Sequence, residues 1–141
     1  MCIRDRRESS LGWREVHFGG AVQGADVLFV RGATNQQFFA NHAAQMAWNI
    51  RIRATLTARL LDGDTIDPHR CLFINPSIRG LEGALAQCAQ PEWTDESTGG
   101  KLRVDKQPRA VGQSRPPSPD CYDGILLAFR ADTRRGLRRP S

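Results

Sequence analysis

The sequence predicts a mixed α/β fold, in the order strand, long helix, helix, β-hairpin and final helix. Three observations predict it. An apolar stripe recurs at helical spacing from Phe39 to Ala54, two short strand-like segments flank Gly99-Gly100, and a second helical stripe runs from Tyr122 to Phe129 behind a proline. Helical and two-residue periods therefore alternate along one chain, the pattern of helices laid against small sheets.

The composition bounds what these elements can build. Of 141 residues, 40% are hydrophobic and 25% charged, which excludes the disordered and fibrous classes and leaves room for one modest domain. No apolar run approaches the length of a membrane span, and no secretory signal layout opens the chain, so a cytosolic protein with no membrane partner is the default expectation. The four cysteines, Cys2, Cys71, Cys88 and Cys121, show no metal-ligand spacing and read as reduced, small, buried side chains. The formal charge of +5 suits a polyanionic partner without identifying one.

Residues 1–6, Met-Cys-Ile-Arg-Asp-Arg, look like a translated transposase adaptor from a sequencing library, and are set aside as an artefact. Without them the charge is +4, since they carry two arginines and one aspartate. Arg7 to Trp13 reads as the tail of a helix, and Glu15-Val16-His17-Phe18 as a short strand stopped by Gly19-Gly20. Val27-Leu28-Phe29-Val30 is either a buried strand or part of a loop.

From Asn35 to Leu61 the spacing predicts one long helix, capped by Thr34 and ended by Gly63. Phe39, Ala43, Met46, Ile50 and Ala54 form its apolar stripe, while Arg51, Arg53 and Arg59 lie off it on a solvated face and His42 at the surface or boundary. Leu72-Phe73-Ile74 is a short apolar stretch. The next helix is expected from Ser77 to Gln87, with Leu81 and Leu85 on one side. Glu92-Trp93-Thr94 and residues 101–105 form the hairpin, with Asp95 and Glu96 near its turn, and Gln107 to Pro117 is a loop. Ser118-Pro119 then opens the last helix as cap and first residue. Trp48 and Trp93, each within a patterned element, read as packing residues. The tail beyond residue 131 is basic.

One pair of residues carries possible chemistry. Asp120 and Asp123 lie one turn apart at a helix start, so their carboxylates project from one face. Clustered carboxylates are what hard Mg²⁺ or Mn²⁺ ions require in phosphodiester hydrolysis, and an aspartate pair at this spacing supplies part of such a cluster. The helix dipole alone also favours aspartate in a first turn. Asp62, Asp64 and Asp67 read as turn and cap residues. His17, His42 and His69 suggest no metal site, and no Walker loop, dinucleotide fingerprint or nucleophile elbow is present.

The order of these segments resembles the C-terminal part of phage terminase large subunits, from Leu11 to Ala131. Leu11-Gly12 with Val16 to Gly20 looks like that family's helix end, strand and Gly-Gly loop. Phe39-Ala40-Asn41, followed by Ala44, Met46 and Trp48, resembles its F-x-N-x-R-A-x-M-W helix, with His42-Ala43 in place of the usual basic pair. Ile74-Asn75-Pro76, Leu81-Glu82 and Leu85 resemble the following helix. Gly99-Gly100-Lys101-Leu102 and Val104-Asp105-Lys106 are similar to the G-K-x-x-V-D-K hairpin. Ser118-Pro119-Asp120-Cys121-Tyr122-Asp123 resembles the S-P-D-x-A-D-A signature, with Tyr122 and Gly124 replacing small alanines.

The resemblance implies a ribonuclease-H-like nuclease domain that cuts concatemeric viral DNA with two divalent metals, Mg²⁺ or Mn²⁺. It implies that Asp120 and Asp123 are catalytic metal ligands, and that two further acids lie upstream of Arg7, together with the ATP-driven motor domain. Residues 7–131 are then a partial nuclease domain, inactive alone, and 132–141 a basic tail. Double-stranded DNA, the portal protein and the small terminase subunit are the implied partners, in a bacterial cytoplasm and transiently at the procapsid portal. Lys106, Arg109 and Arg115 are the candidate DNA contacts. The alternatives are another ribonuclease-H-like nuclease, of resolvase or transposase type, and a non-enzymatic basic module binding DNA or capsid through the arginines from Arg130.

Overall fold

The computed structural model describes residues 16–30, 32–94, 99–114 and 116–130. The adaptor-like hexapeptide, the helix tail from Arg7, Glu15, Asp95, Glu96, Arg115 and the basic tail lie outside them. Within them the fold is mixed α/β, as the alternating periods predict. Two small antiparallel sheets and a set of helices surround one long helix.

The expected strand at Val16-His17-Phe18 is not formed over these residues. Their alternation is real, but the backbone has another use. Phe18 and Gly20 give their carbonyls to the N–H groups of Ala43 and His42, at 2.8 and 2.9 Å. These are the opening donors of a helix, which have no partner inside it.

Strand β1 (Leu28–Val30) resolves the alternative left open for that run, and pairs with β2 (Ala33–Thr34). It is not buried: Leu28 is 70% exposed. Only Phe29 faces inward, its ring 5.1 and 4.9 Å from those of Phe38 and Phe39.

The long helix is broken where one continuous element is expected. Helix α1 (Asn35–Phe38) is a single turn, with Thr34 and Gln37 forming a reciprocal capping box. Residues 39–41 then leave helical geometry, and α2 (His42–Leu61) begins with Asn41 as its cap, its side chain accepting the Ala44 N–H at 2.9 Å. The cause lies far off in sequence. Leu102 donates to the Phe38 carbonyl and accepts from the Ala40 N–H, both at 2.8 Å, a parallel bridge that competes with helical hydrogen bonding. Gly63 ends α2 as expected, at φ 100°.

The stripe holds from Phe39 to Ile50 and fails at Ala54, which is exposed. His42 is buried rather than on the surface, because it opens α2 beneath the 18–20 loop. Arg51 and Arg59 stay outside, the first over the Trp48 ring and the second paired with Asp64. Arg53 does not belong to a solvated face. Its Nη1 donates to the carbonyls of His69 and Cys71 at 3.1 Å each, and its guanidinium lies 4.9 Å from the Phe129 ring centre. Together with Thr57 Oγ1, which accepts the Leu72 N–H at 2.8 Å, it straps the segment after the 3-10 turn (Pro68–Arg70) along α2.

Helix α3 (Leu81–Ala89) starts later than Ser77. Asn75 turns the chain on itself by accepting the Ser77 N–H, and Gly80 sits at φ 82°, outside helical space. Leu81 is half-buried, but Leu85 is 49% exposed, so the expected apolar side is only partly used. Strands β3 (Glu92–Thr94) and β4 (Arg103–Asp105) form the expected hairpin, in the register Trp93 to Val104, with Gly99 and Gly100 at positive φ in its turn.

Helix α4 (Asp120–Ala128) completes the core, its Tyr122 and Leu126 meeting Ala43, Met46, Ala47 and Ile50 of α2 and Val104 of β4. Burial of a side chain such as Met46 or Leu126 contributes about 1.5–3 kcal/mol. Trp48 and Trp93 pack edge to face at 5.3 Å, in keeping with packing roles. Among the cysteines, Cys71 is buried as expected, but Cys121 is exposed, because it faces away from the stripe that buries Tyr122.

Burial raises the phenol pKa of Tyr122 well above its ordinary value, with Cys88 and Asp123 adding to the effect. The stabilisation tied to its neutral form is thus complete below about pH 10, the unfolded value, and declines as pH rises toward the folded one. Tyr122 is the only tyrosine, so absorbance near ~295 nm should show a phenol that resists ionisation at about pH 10–11 until the chain unfolds. Tyr122→Phe should flatten the alkaline loss of stability. An ordinary titration near pH ~10 in the folded chain would refute the burial.

Candidate functional site

The two aspartates of α4 reach different surroundings. Asp123 is half-buried, and Lys106, just after β4, grips both of its oxygens: Nζ to Oδ1 is 2.8 Å and to Oδ2 2.7 Å. The same ammonium lies 4.5 Å from the centre of the Phe18 ring. Asp120, at the first position of the helix, is exposed, and nothing among the described residues hydrogen-bonds its carboxylate.

Three elements set this geometry. The start of α4 is not capped by Ser118; Pro119 takes the cap position, without a side-chain bond, and is buried. A side chain of α3 takes over, as Gln87 Oε1 accepts the Cys121 N–H at 2.8 Å. Gln90, one turn on, donates to the carbonyls of Lys106 and Pro117, at 2.7 and 3.4 Å. One end of α3 therefore holds both the backbone of Lys106 and the entry to α4, which fixes the ammonium beside Asp123. Asp105 is turned aside, its Oδ1 accepting the Gln107 N–H at 3.0 Å.

Of the candidate DNA contacts, Lys106 points onto Asp123. Arg109 is exposed in the loop, its Nε donating to the Gln113 carbonyl at 2.8 Å. Arg115 lies outside the described residues. Sequence reasoning singled out both aspartates, and Lys106 only as a DNA contact, and did not single out Phe18, Gln87 or Gln90. Phe18 read as a strand residue, and no local pattern marks a glutamine that caps a helix from another element.

Chemically, the site is a carboxylate and an aromatic face closing on a cation, with a second carboxylate one turn away in solvent. Carboxylate oxygens are the donors that Mg²⁺ and Mn²⁺ prefer. Even so, the residues present do not fit a two-metal centre. Two carboxylates are too few, both oxygens of Asp123 already accept the Lys106 ammonium, and no three His, Cys, Asp or Glu side chains converge among the described residues. Nor is any described helix long and apolar enough to cross a membrane. The chain matches no protein-family model, no curated protein and no solved structure.

Proposed function

We propose that this chain is the C-terminal part of the ribonuclease-H-like nuclease domain of a phage or prophage terminase large subunit. On this reading the intact domain cleaves concatemeric viral DNA with Mg²⁺ or Mn²⁺. Asp120 and Asp123 are this segment's share of the catalytic acids, and the remainder comes from other strands of the domain. Double-stranded DNA is the substrate. The portal and the small terminase subunit are the partners, and the host cytoplasm and procapsid portal the place of action.

One observation carries the reading. The segments that resemble the family's hairpin and its last-helix signature are matched separately in sequence, yet Lys106 of the first and Asp123 of the second meet at 2.7 Å. Motifs belonging to one active edge are expected to converge in this way; unrelated chance matches have no reason to. The mixed α/β architecture is compatible with the reading, as is the half-burial of Asp123 beside the hairpin.

The decisive experiment is recovery of the gene upstream of Arg7. The expected result is a Walker motif followed by two strands that carry acidic residues, one on the first strand of the domain and one ending the fourth. An upstream region without the Walker motif would favour a resolvase or transposase nuclease. One without strand-borne acids would remove the nuclease altogether. Meanwhile the 141-residue chain alone should not nick supercoiled plasmid with Mn²⁺, since no three metal-ligating side chains converge among its described residues.

A further inference from the structure

We propose that Cys88 and Cys121 form a thiol pair across the seam between α3 and α4, and that oxidation joins them in a disulfide that clamps the start of α4. The proposal stands apart from the nuclease reading, since it uses only the packing of these two helices.

The last turn of α3 lies against the first turn of α4. Gln87 Oε1 accepts the Cys121 N–H at 2.8 Å, and Gln90 donates to the Pro117 carbonyl at 3.4 Å. Cys88 follows Gln87 directly, and it is half-buried against the core that holds Tyr122, the neighbour of Cys121. The two cysteines thus flank one seam, Cys88 on its inner side and Cys121 at its solvent edge. Their charges also sense each other: burial pushes the Cys88 thiol pKa up, and Cys121 adds to the rise. Cys71 is buried elsewhere, its thiol donating to the Asp67 carbonyl, and takes no part.

The bond forms by thiol–disulfide exchange with a small disulfide such as that of glutathione. Cys121, the exposed thiol, is met first. Its thiolate attacks one glutathione sulfur, forming a mixed disulfide and releasing one glutathione thiolate. Cys88 then gives up its proton and attacks Cys121 Sγ, and the second glutathione leaves. Two cysteine thiols are oxidised and one glutathione disulfide is reduced to two thiols. Such a pair stays open in a reducing compartment and closes as the disulfide pool rises. Closed, it adds a covalent tie to the glutamine contacts that set the entry to α4, and so to the place of Asp123 beside Lys106.

Cysteines whose Cα atoms lie more than about 7 Å apart cannot be bridged without backbone movement, so closure reads the seam directly. The test holds the wild-type 141-residue chain at low concentration in a buffer of glutathione and glutathione disulfide. Peptide mapping should find a Cys88–Cys121 bridge, with Cys71 unmodified. The equilibrium constant for closing this bridge should be at least about tenfold larger in the folded chain than in the same chain unfolded in urea, because a seam that holds the thiols together favours closure. Circular dichroism identifies the two states. Cys88→Ser should stop at the glutathione adduct of Cys121. A closure constant no larger in the folded chain than in urea overturns the proposal. So does a folded wild-type chain that stops at the Cys121 adduct, or one that bridges a different pair.

Discussion

On the proposed nuclease reading, asparagine in place of Asp123 is expected to lower DNA cleavage by the intact parent on the order of 10²–10³-fold, the scale of losing one electrostatic contributor to a transition state. The substitution keeps the shape of the side chain and removes its charge. Lys106 can still donate to the remaining carbonyl oxygen, so the packing of α4 on the hairpin should survive, and with it the thermal midpoint. DNA affinity should be unchanged, because the removed group is an anion and makes no attractive contact with phosphate. Asp120→Asn should cost less, since that carboxylate is exposed and no described residue positions it. Cleavage assays with Mg²⁺, run beside binding isotherms at one salt concentration, separate these effects. Cleavage at the wild-type rate by the Asp123 variant would move the site elsewhere.

The aspartate pair was legible because its spacing is local: one turn of helix puts two residues on one face, whatever the helix packs against. Its partnership with Lys106 was not, because it depends on how the hairpin and α3 fold around the start of α4. The same division runs through the fold. The stripe from Tyr122 to Phe129 and the glycines of the hairpin turn express backbone and burial rules that act within a few residues. The break at residues 39–41 could not be read, since the apolar spacing continues across it and the competing bridge comes from Leu102. Phe18 and Gly20 misled in the opposite sense. Their segment alternates like a strand, but its carbonyls serve the opening donors of α2, a need created only by tertiary packing. Ser118 looked like a cap until Gln87 of another helix reached the Cys121 N–H first.

The other large effect is on stability. Leu126→Ala should destabilise the chain by about 3–5 kcal/mol, the range for emptying a fully buried leucine site that collapses poorly. Leu126 is 0% exposed and sits in the core shared by α2, β4 and α4. A domain of this size holds only about 5–15 kcal/mol in all, so the variant should be largely unfolded at modest urea. Leu127→Ala is the matched control. It removes the same atoms from the next residue, which is 42% exposed, and should change stability by no more than about 0.5 kcal/mol. Urea titration followed by Trp48 and Trp93 fluorescence should show a lower midpoint at unchanged slope for Leu126→Ala alone. Equal losses in the two variants would mean that α4 does not dock through this face. Asp123 would then lose its place beside Lys106, for the burial of Tyr122 and Leu126 is what turns its carboxylate toward the hairpin.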